Sequence, residues 1–165
     1  MTERAFASWV EPIAAQLRES RGQIGQEART LPPEVWATPS PLDGWTYKDL
    51  LAHLAVGDWV LQTVLRAVVA KEPVDVKRVT DLDKINAENA RLLKERRGSS
   101  PEELIAEVEA EGVETRELLG GLTNQDENLK QEDAPVSLSQ YLAGFPGHDR
   151  EHLAHLRTAL DNIML

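Results

Sequence analysis

The chain has 165 residues and no cysteine, a length that predicts a single domain over residues 1–165 and a composition that excludes disulfides, thiolate nucleophiles and cysteine-based zinc sites. Its formal net charge of −10 argues against nucleic acid as a partner, because nothing would offset repulsion by the phosphates. Residues 1–6 lack the apolar core of a signal peptide, and no uncharged run approaches the ~18 residues of a membrane span, so we expect a cytoplasmic protein with no membrane contact.

The first predicted helix covers residues 3 to about 28, where apolar side chains recur at helical spacing. Pro12 lacks an N–H and fits the first turn of a helix, so the regular helix is expected to begin at Glu11. A short helical turn is predicted at residues 31–34. Residues 38–44, which contain two prolines and end in glycine, are predicted to form a loop.

The second predicted helix is the most apolar in the chain and runs from Tyr47 to about Ala70. Thr46, with Asp49 three residues later, resembles a capping box that would start this helix. His53 lies on the helix, and Gly57 follows it by one turn on the same side. The glycine leaves room beside the imidazole, either for close helix packing or for a ligand.

The second half of the chain predicts three more helical regions separated by polar connections. These regions are residues 81–97, a helix with Ser100 as N-cap that continues to Gly120-Gly121, and a segment from Ser137 to about Ile163 that is bent at residues 144–147. The connections, residues 71–80 and 123–135, are expected to be irregular. Because no alternating strand pattern is present, the fold class is all-α, a bundle of four main helices with long crossover connections.

Three of the four histidines lie in one short segment near the C-terminus. His148, His152 and His155 follow the spacing i, i+4 and i+7, which places them within an arc of about 60° on one helix face. The fourth, His53, lies on the most apolar helix. If the two helices pack side by side, the imidazoles converge, and neutral imidazole is the commonest protein ligand for divalent transition metals. The pattern therefore predicts a metal site.

Carboxylates near these histidines have alternative roles. Asp49 either orients an imidazole N–H or serves only as the capping carboxylate of its helix. Glu151 is a second candidate for orienting an imidazole. Asp149 and Glu151 nevertheless lie off the histidine stripe, so we expect both to face solvent.

Four further residues are candidates for the lining of a pocket beside the histidines. Trp45 and Trp59 either line such a pocket or, as we expect, pack in the core. Gly57 would provide the space. Tyr141 lies seven residues before His148 and would share its helix face, where the phenol could act as an acid or as a hydrogen-bond donor.

The segment from Gly44 to Leu54, GWTYKDLLAHL, resembles the opening of helix two in the DinB-like superfamily, which includes the N-terminal domains of mycothiol-dependent maleylpyruvate isomerases. His148 and His152 resemble the H-x-x-x-H pair on that family's last helix. The resemblance implies a four-helix bundle in which His53, His148 and His152 hold a divalent metal, with positions left open for water or substrate. Many members have glutamine or an apolar residue where this chain has His155, which is therefore a fourth ligand, a residue that orients a ligand, or a bystander.

The resemblance also implies a function. Imidazole ligands suit zinc or nickel, with iron as a further candidate, and such a metal would activate bound water or a thiol. Because the chain has no cysteine, the thiol would be an external low-molecular-weight cosubstrate, and the reaction an S-transfer, isomerisation or hydrolysis of a small molecule. The alternatives are a non-enzymatic bundle that binds a ligand or partner helix, and a metal carrier or sensor. Members of the family commonly form homodimers, so we expect the same here.

Overall fold

The computed structural model describes residues 5–163. Residues 3–4 of the first predicted helix lie outside the described residues. So do residues 1–4 of the segment that was compared with a signal peptide. Eight α-helices occur in the described part: α1 Glu11–Thr30, α2 Tyr47–Val56, α3 Trp59–Val69, α4 Val76–Thr80, α5 Leu82–Glu95, α6 Pro101–Leu119, α7 Leu138–Leu142 and α8 Phe145–Ile163. Short 3₁₀ helices cover Pro33–Ala37 and Asn124–Asp126. Between residues 5 and 163 the only β-type pairing is one isolated bridge, Pro39 to Thr46, which confirms the all-α class.

Local sequence signals set most helix starts. Helix α1 begins at Glu11 with Pro12 in its first turn, as predicted. Thr46 and Asp49 form the predicted capping box of α2, and Ser100 caps α6 in the same way with Glu103. None of the helices in the described residues is both long and apolar enough to cross a lipid bilayer.

The long helices α1, α6 and α8, together with the pair α2 and α3, pack in a ring. Helix α1 packs against α6 and α8, while α2 packs against α6 and α8 from the other side, and α3 extends the contact with α6. This arrangement is compatible with the predicted four-helix bundle. Helix α2 is its most buried element, with eight of its ten residues buried, and the Tyr47 hydroxyl lies 2.7 Å from Thr158 Oγ1 on α8. The two helices that carry the histidines are therefore held side by side.

The prediction of one continuous helix over residues 47–70 was wrong. Helix α2 ends at Val56, Gly57 and Asp58 form a turn, and α3 starts at Trp59. Glycine weakens a helix at this point by about 1 kcal/mol relative to alanine. The Asp58 carboxylate is directed into the protein, where it pairs with Arg21 instead of capping α3.

Two further boundaries differ from the sequence-based expectation. The connection at residues 71–80 contains α4, whose N-cap Asp75 accepts a hydrogen bond from the Arg78 N–H. The bend in the last region lies at residues 143–144, and α8 begins at Phe145. Pro146 therefore lies in the first turn of α8, where a missing N–H costs nothing.

Candidate metal centre

The side-by-side packing of α2 and α8 brings three histidines together. One ring nitrogen each from His53, His148 and His152 lies within 4.8 Å of the other two. The Nε2 atoms of His148 and His152, one helical turn apart on α8, are separated by 3.1 Å. The His53 ring centroid lies 4.8 Å from that of His152 and 6.0 Å from that of His148. These are the three residues that the resemblance assigns as ligands.

The cluster can hold a metal ion. At zinc–nitrogen distances of about 2.0–2.1 Å, two imidazole nitrogens that share one ion lie roughly 3.0–3.4 Å apart. The 3.1 Å between the Nε2 atoms of His148 and His152 falls in this range. Across residues 5–163, no hydrogen-bond partner is found for the buried Nδ1 of His53, so this nitrogen is not engaged by another protein group. The donor set and its spacing therefore fit a divalent transition metal.

The electrostatics of the cluster favour coordination. Burial, and after it the imidazole of His148, lowers the pKa of His53 from 6.5 to about 4. Burial, followed by the imidazoles of His148, His53 and His155, lowers the pKa of His152 to about 3. Both rings are therefore neutral near pH 7, which is the form that binds metals.

The three histidines differ in their exposure to solvent. His53 and His152 are 9% and 7% exposed, whereas His148 is an exposed residue. A set of three protein ligands with one open side leaves a coordination position for water or substrate.

The remaining histidine, His155, lies outside this group of three. Its ring centroid is 5.7 Å from that of His152, and it is half-buried on the same face of α8. Its Nδ1 has no hydrogen-bond partner in the part of the chain that the structure describes. The i+7 position thus places His155 beside a cluster residue but not within the group itself.

The carboxylate of Asp49 is engaged in capping. Its Oδ2 atom accepts hydrogen bonds from the Thr46 backbone N–H and the Thr46 hydroxyl, each at 2.9 Å. The Asp49 N–H in turn donates to Thr46 Oγ1 at 3.2 Å. Of the two roles considered for Asp49, these contacts favour the capping role.

Replacing Asp49 with alanine is therefore expected to lower the free energy of unfolding by about 1 kcal/mol while leaving metal affinity unchanged, since it removes a cap and no ligand. Urea denaturation of the metal-free protein and a cobalt titration of the same variant measure the two quantities. A tenfold or greater loss of metal affinity would show instead that the carboxylate supports an imidazole.

The expectation that Asp149 faces solvent was wrong, whereas Glu151 is exposed as expected. Asp149 is 4% exposed, and its Oδ2 accepts a hydrogen bond from Arg21 Nε at 2.9 Å. Arg21, on α1, also pairs with Asp58, whose Oδ2 accepts a hydrogen bond of 2.6 Å from the hydroxyl of Thr115. Burial raises the pKa of Asp149, and the guanidinium opposes that rise.

This buried network, here called the Arg21 tie (Arg21, Asp58 and Asp149), lies next to the histidine cluster. Asp149 directly follows His148, and Asp58 immediately precedes α3, in the turn that follows the His53 helix. The Arg21 guanidinium therefore joins α1 to α8, which carries His148 and His152, and to the turn after α2, the helix that carries His53. Sequence reasoning missed the tie, although a signal exists, since Arg21 lies on the apolar stripe of α1 between Leu17 and Ile24.

A cavity of about 280 Å³ adjoins the cluster. Its lining includes His53 and His148 from the cluster, together with Gly57, Trp59 and Tyr141 from the proposed pocket residues. Trp59 Nε1 donates to Asn89 Oδ1 at 2.8 Å, which holds the indole at the cavity wall. Trp45 is not part of this lining, and its ring centroid lies 5.0 Å from that of His53. Neither tryptophan is fully buried, contrary to the expectation of core packing.

The fold and the cluster define an all-α protein in which α2 and α8 together present three histidines able to hold a metal ion. The family model described as mycothiol maleylpyruvate isomerase N-terminal domain matches residues 17–157, and the chain belongs to that family. This match confirms the resemblance to the DinB-like superfamily. Comparison with curated proteins and with solved structures gave no match.

Proposed function

We propose that the protein binds a divalent metal ion through His53, His148 and His152 and is a metal-dependent enzyme that acts on a small molecule with an external thiol. The observation that carries the proposal is the convergence of three histidine nitrogens, all within 4.8 Å of one another, in a cluster of which His148 is exposed to solvent. Imidazole ligands suit several divalent transition metals; we expect zinc or nickel, with iron as the next candidate.

The residues of the chain would have different roles at such a site. A divalent ion held there would supply Lewis acidity and lower the pKa of a bound water or thiol. The two buried imidazoles, His53 and His152, are neutral near pH 7 and would fix the ion, while His148 lies on the solvent side where a ligand enters. The adjoining cavity would hold the substrate next to the ion.

The thiol is assigned from two facts about the chain. It contains no cysteine, so it cannot supply a thiolate itself. The description of its family names mycothiol and a maleylpyruvate isomerase, so mycothiol is the first thiol to test. S-transfer, isomerisation and hydrolysis share the need for a metal-bound nucleophile, and the geometry favours none of the three.

The proposal is tested with cobalt-loaded protein, because a thiolate bound to Co²⁺ adds a charge-transfer band to the spectrum. Mycothiol is expected to produce that band, whereas S-methyl mycothiol, whose sulfur cannot become a thiolate, is expected to leave the spectrum unchanged. An unchanged spectrum with mycothiol, bacillithiol and glutathione alike would contradict a thiol-dependent role. In that case the alternative functions, a non-enzymatic binding module or a metal carrier or sensor, would be tested next.

A further inference from the structure

The hydrogen bonds of the Arg21 tie engage all four carboxylate oxygens of Asp58 and Asp149. Arg21 Nε donates to Asp149 Oδ2 at 2.9 Å, and its Nη2 donates to Asp149 Oδ1 at 3.4 Å. The same Nη2 donates to Asp58 Oδ1, while Asp58 Oδ2 accepts from the Thr115 hydroxyl on α6. A guanidinium that binds a carboxylate through two of its nitrogens fixes the direction of that carboxylate as well as its distance. The tie therefore holds Asp149 in one orientation relative to α1 and α6.

Asp149 occupies a buried position in the part of α8 that carries the metal ligands. Within residues 145–152, the buried side chains are those of Pro146, Asp149 and His152, and this stretch contains no leucine, isoleucine or valine. The buried leucines of α8 come only after His152. This part of α8 is therefore tied to α1 by a buried charged side chain rather than by buried aliphatic ones.

Stability alone does not account for a buried charge network at this position. Replacing a buried ion pair by well-packed hydrophobic residues is often neutral or stabilising, because the charges no longer lose their hydration. The best-attested benefit of a buried polar or charged group is a fixed register between packed helices. Apolar contact is non-directional and lacks this property. The tie is therefore better explained by the placement of α8.

The metal centre needs such a placement, because ligands act together only when they are held within about 0.5 Å of the required geometry. Asp149 directly follows His148, and Asp58 lies in the turn that follows α2. A rotation or shift of α8 would move both of its ligand histidines relative to His53. We propose that Arg21 is a positioning residue of the metal centre, which acts through Asp149 to hold the ligand histidines of α8 against His53. This inference rests on the proposed function and adds to it a residue outside the histidine cluster.

The test replaces the tie with neutral side chains in the triple variant Arg21→Met, Asp58→Asn, Asp149→Leu, here called the tie variant. Methionine and leucine bury apolar surface without a fixed direction, and asparagine keeps an acceptor for the Thr115 hydroxyl. Because no buried charge is left unpaired, the metal-free tie variant is expected to unfold at about the same urea concentration as the wild type. Asp149→Asn, which keeps the side-chain volume and one acceptor for Arg21, is a second variant that does not depend on the triple replacement.

Two readouts follow the histidines in the tie variant. The first is the nuclear Overhauser effect between the rings of His53 and His152 in metal-free protein, where the ring centroids lie 4.8 Å apart. It is expected to be lost or at least halved. The second is cobalt affinity, which is expected to fall about tenfold or more, as for other residues that orient metal ligands. Asp149→Asn is expected to change both quantities in the same direction and by less.

Arg157→Met is the matched control, because Arg157 also joins α8 to α1. Its Nε donates to Glu27 Oε1 at 2.7 Å, but the arginine is about half exposed, with a side-chain exposure of 51%, and lies beyond the ligand histidines in the chain. This variant is expected to keep the wild-type Overhauser effect and the wild-type cobalt affinity.

Two results would overturn this inference. One is an unchanged Overhauser effect in both the tie variant and Asp149→Asn, which would mean that any loss of cobalt affinity comes from the altered charge and not from displaced histidines. The other is wild-type cobalt affinity in a tie variant that has lost the Overhauser effect. Failure of the proposed metal function is recognised separately, as wild-type protein that binds no cobalt, and the Overhauser effect in metal-free protein then decides whether Arg21 positions the histidines.

Discussion

Replacing Arg21 with methionine is expected to lower the free energy of unfolding of the metal-free protein by about 3–5 kcal/mol, the usual cost of breaking a buried ion pair from one side. Arg21 is the cation between two carboxylates that are nearly inaccessible to water, Asp58 and Asp149. Methionine fills a similar volume but leaves both carboxylates without a positive partner. Urea denaturation, followed by the helical circular dichroism signal, measures the change.

The Arg29→Met variant is the matched control, because Arg29 also joins α1 to another helix through a single glutamate. That pair, with Glu109, is about half exposed, with side-chain exposures of 54% and 47%, and is expected to contribute at most about 1 kcal/mol. The triple variant Arg21→Met, Asp58→Asn, Asp149→Asn is expected to be more stable than Arg21→Met alone, since no buried charge is left unpaired. Equal effects of Arg21→Met and Arg29→Met would contradict a stabilising role of the Arg21 tie.

Removing His152 is expected to weaken metal binding more than about 100-fold, since even residues that only orient a ligand change affinity about 10- to 100-fold. His152 is the central residue of the cluster, with its Nε2 3.1 Å from that of His148 and its ring 4.8 Å from that of His53. A cobalt titration of His152→Ala, followed by visible absorption, measures the loss.

His155→Ala is the matched control for this prediction. His155 lies on the same face of α8 and beside the same ring, but outside the group of three. Its removal is expected to change cobalt affinity less than tenfold. Equal losses in the two variants would mean that the ion is held by a different set of histidines from the one proposed.

Much of the fold was predictable because its signals are local. Pro12 at the start of α1 and the capping boxes at Thr46 and Ser100 each lie within four residues of the helix end that they define. The spacing of His148 and His152 predicted one helix face in the same way. The all-α class follows from signals of this kind.

The packing of α2 against α8, which brings His53 to the other histidines, was not a local property. The residue pattern gave this packing only as a condition for the metal site. The resemblance to the DinB-like superfamily implied that the condition is met. The break after α2 was missed because Asp58 pairs with a residue 37 positions away in the chain. The burial of Asp149 was missed for the same reason, since Arg21 is 128 positions away and the helical period of α8 alone places Asp149 off the histidine stripe.

The most direct test of the metal centre is elemental analysis of protein purified without an affinity tag, in the wild type and in the double variant His53→Ala, His152→Ala. We expect about one zinc, nickel or iron ion per chain in the wild type, as three convergent imidazoles imply, and none in the double variant. Wild-type protein that is folded and free of metal, even after growth with added zinc, nickel and iron, would contradict the account and leave the three histidines as packing residues.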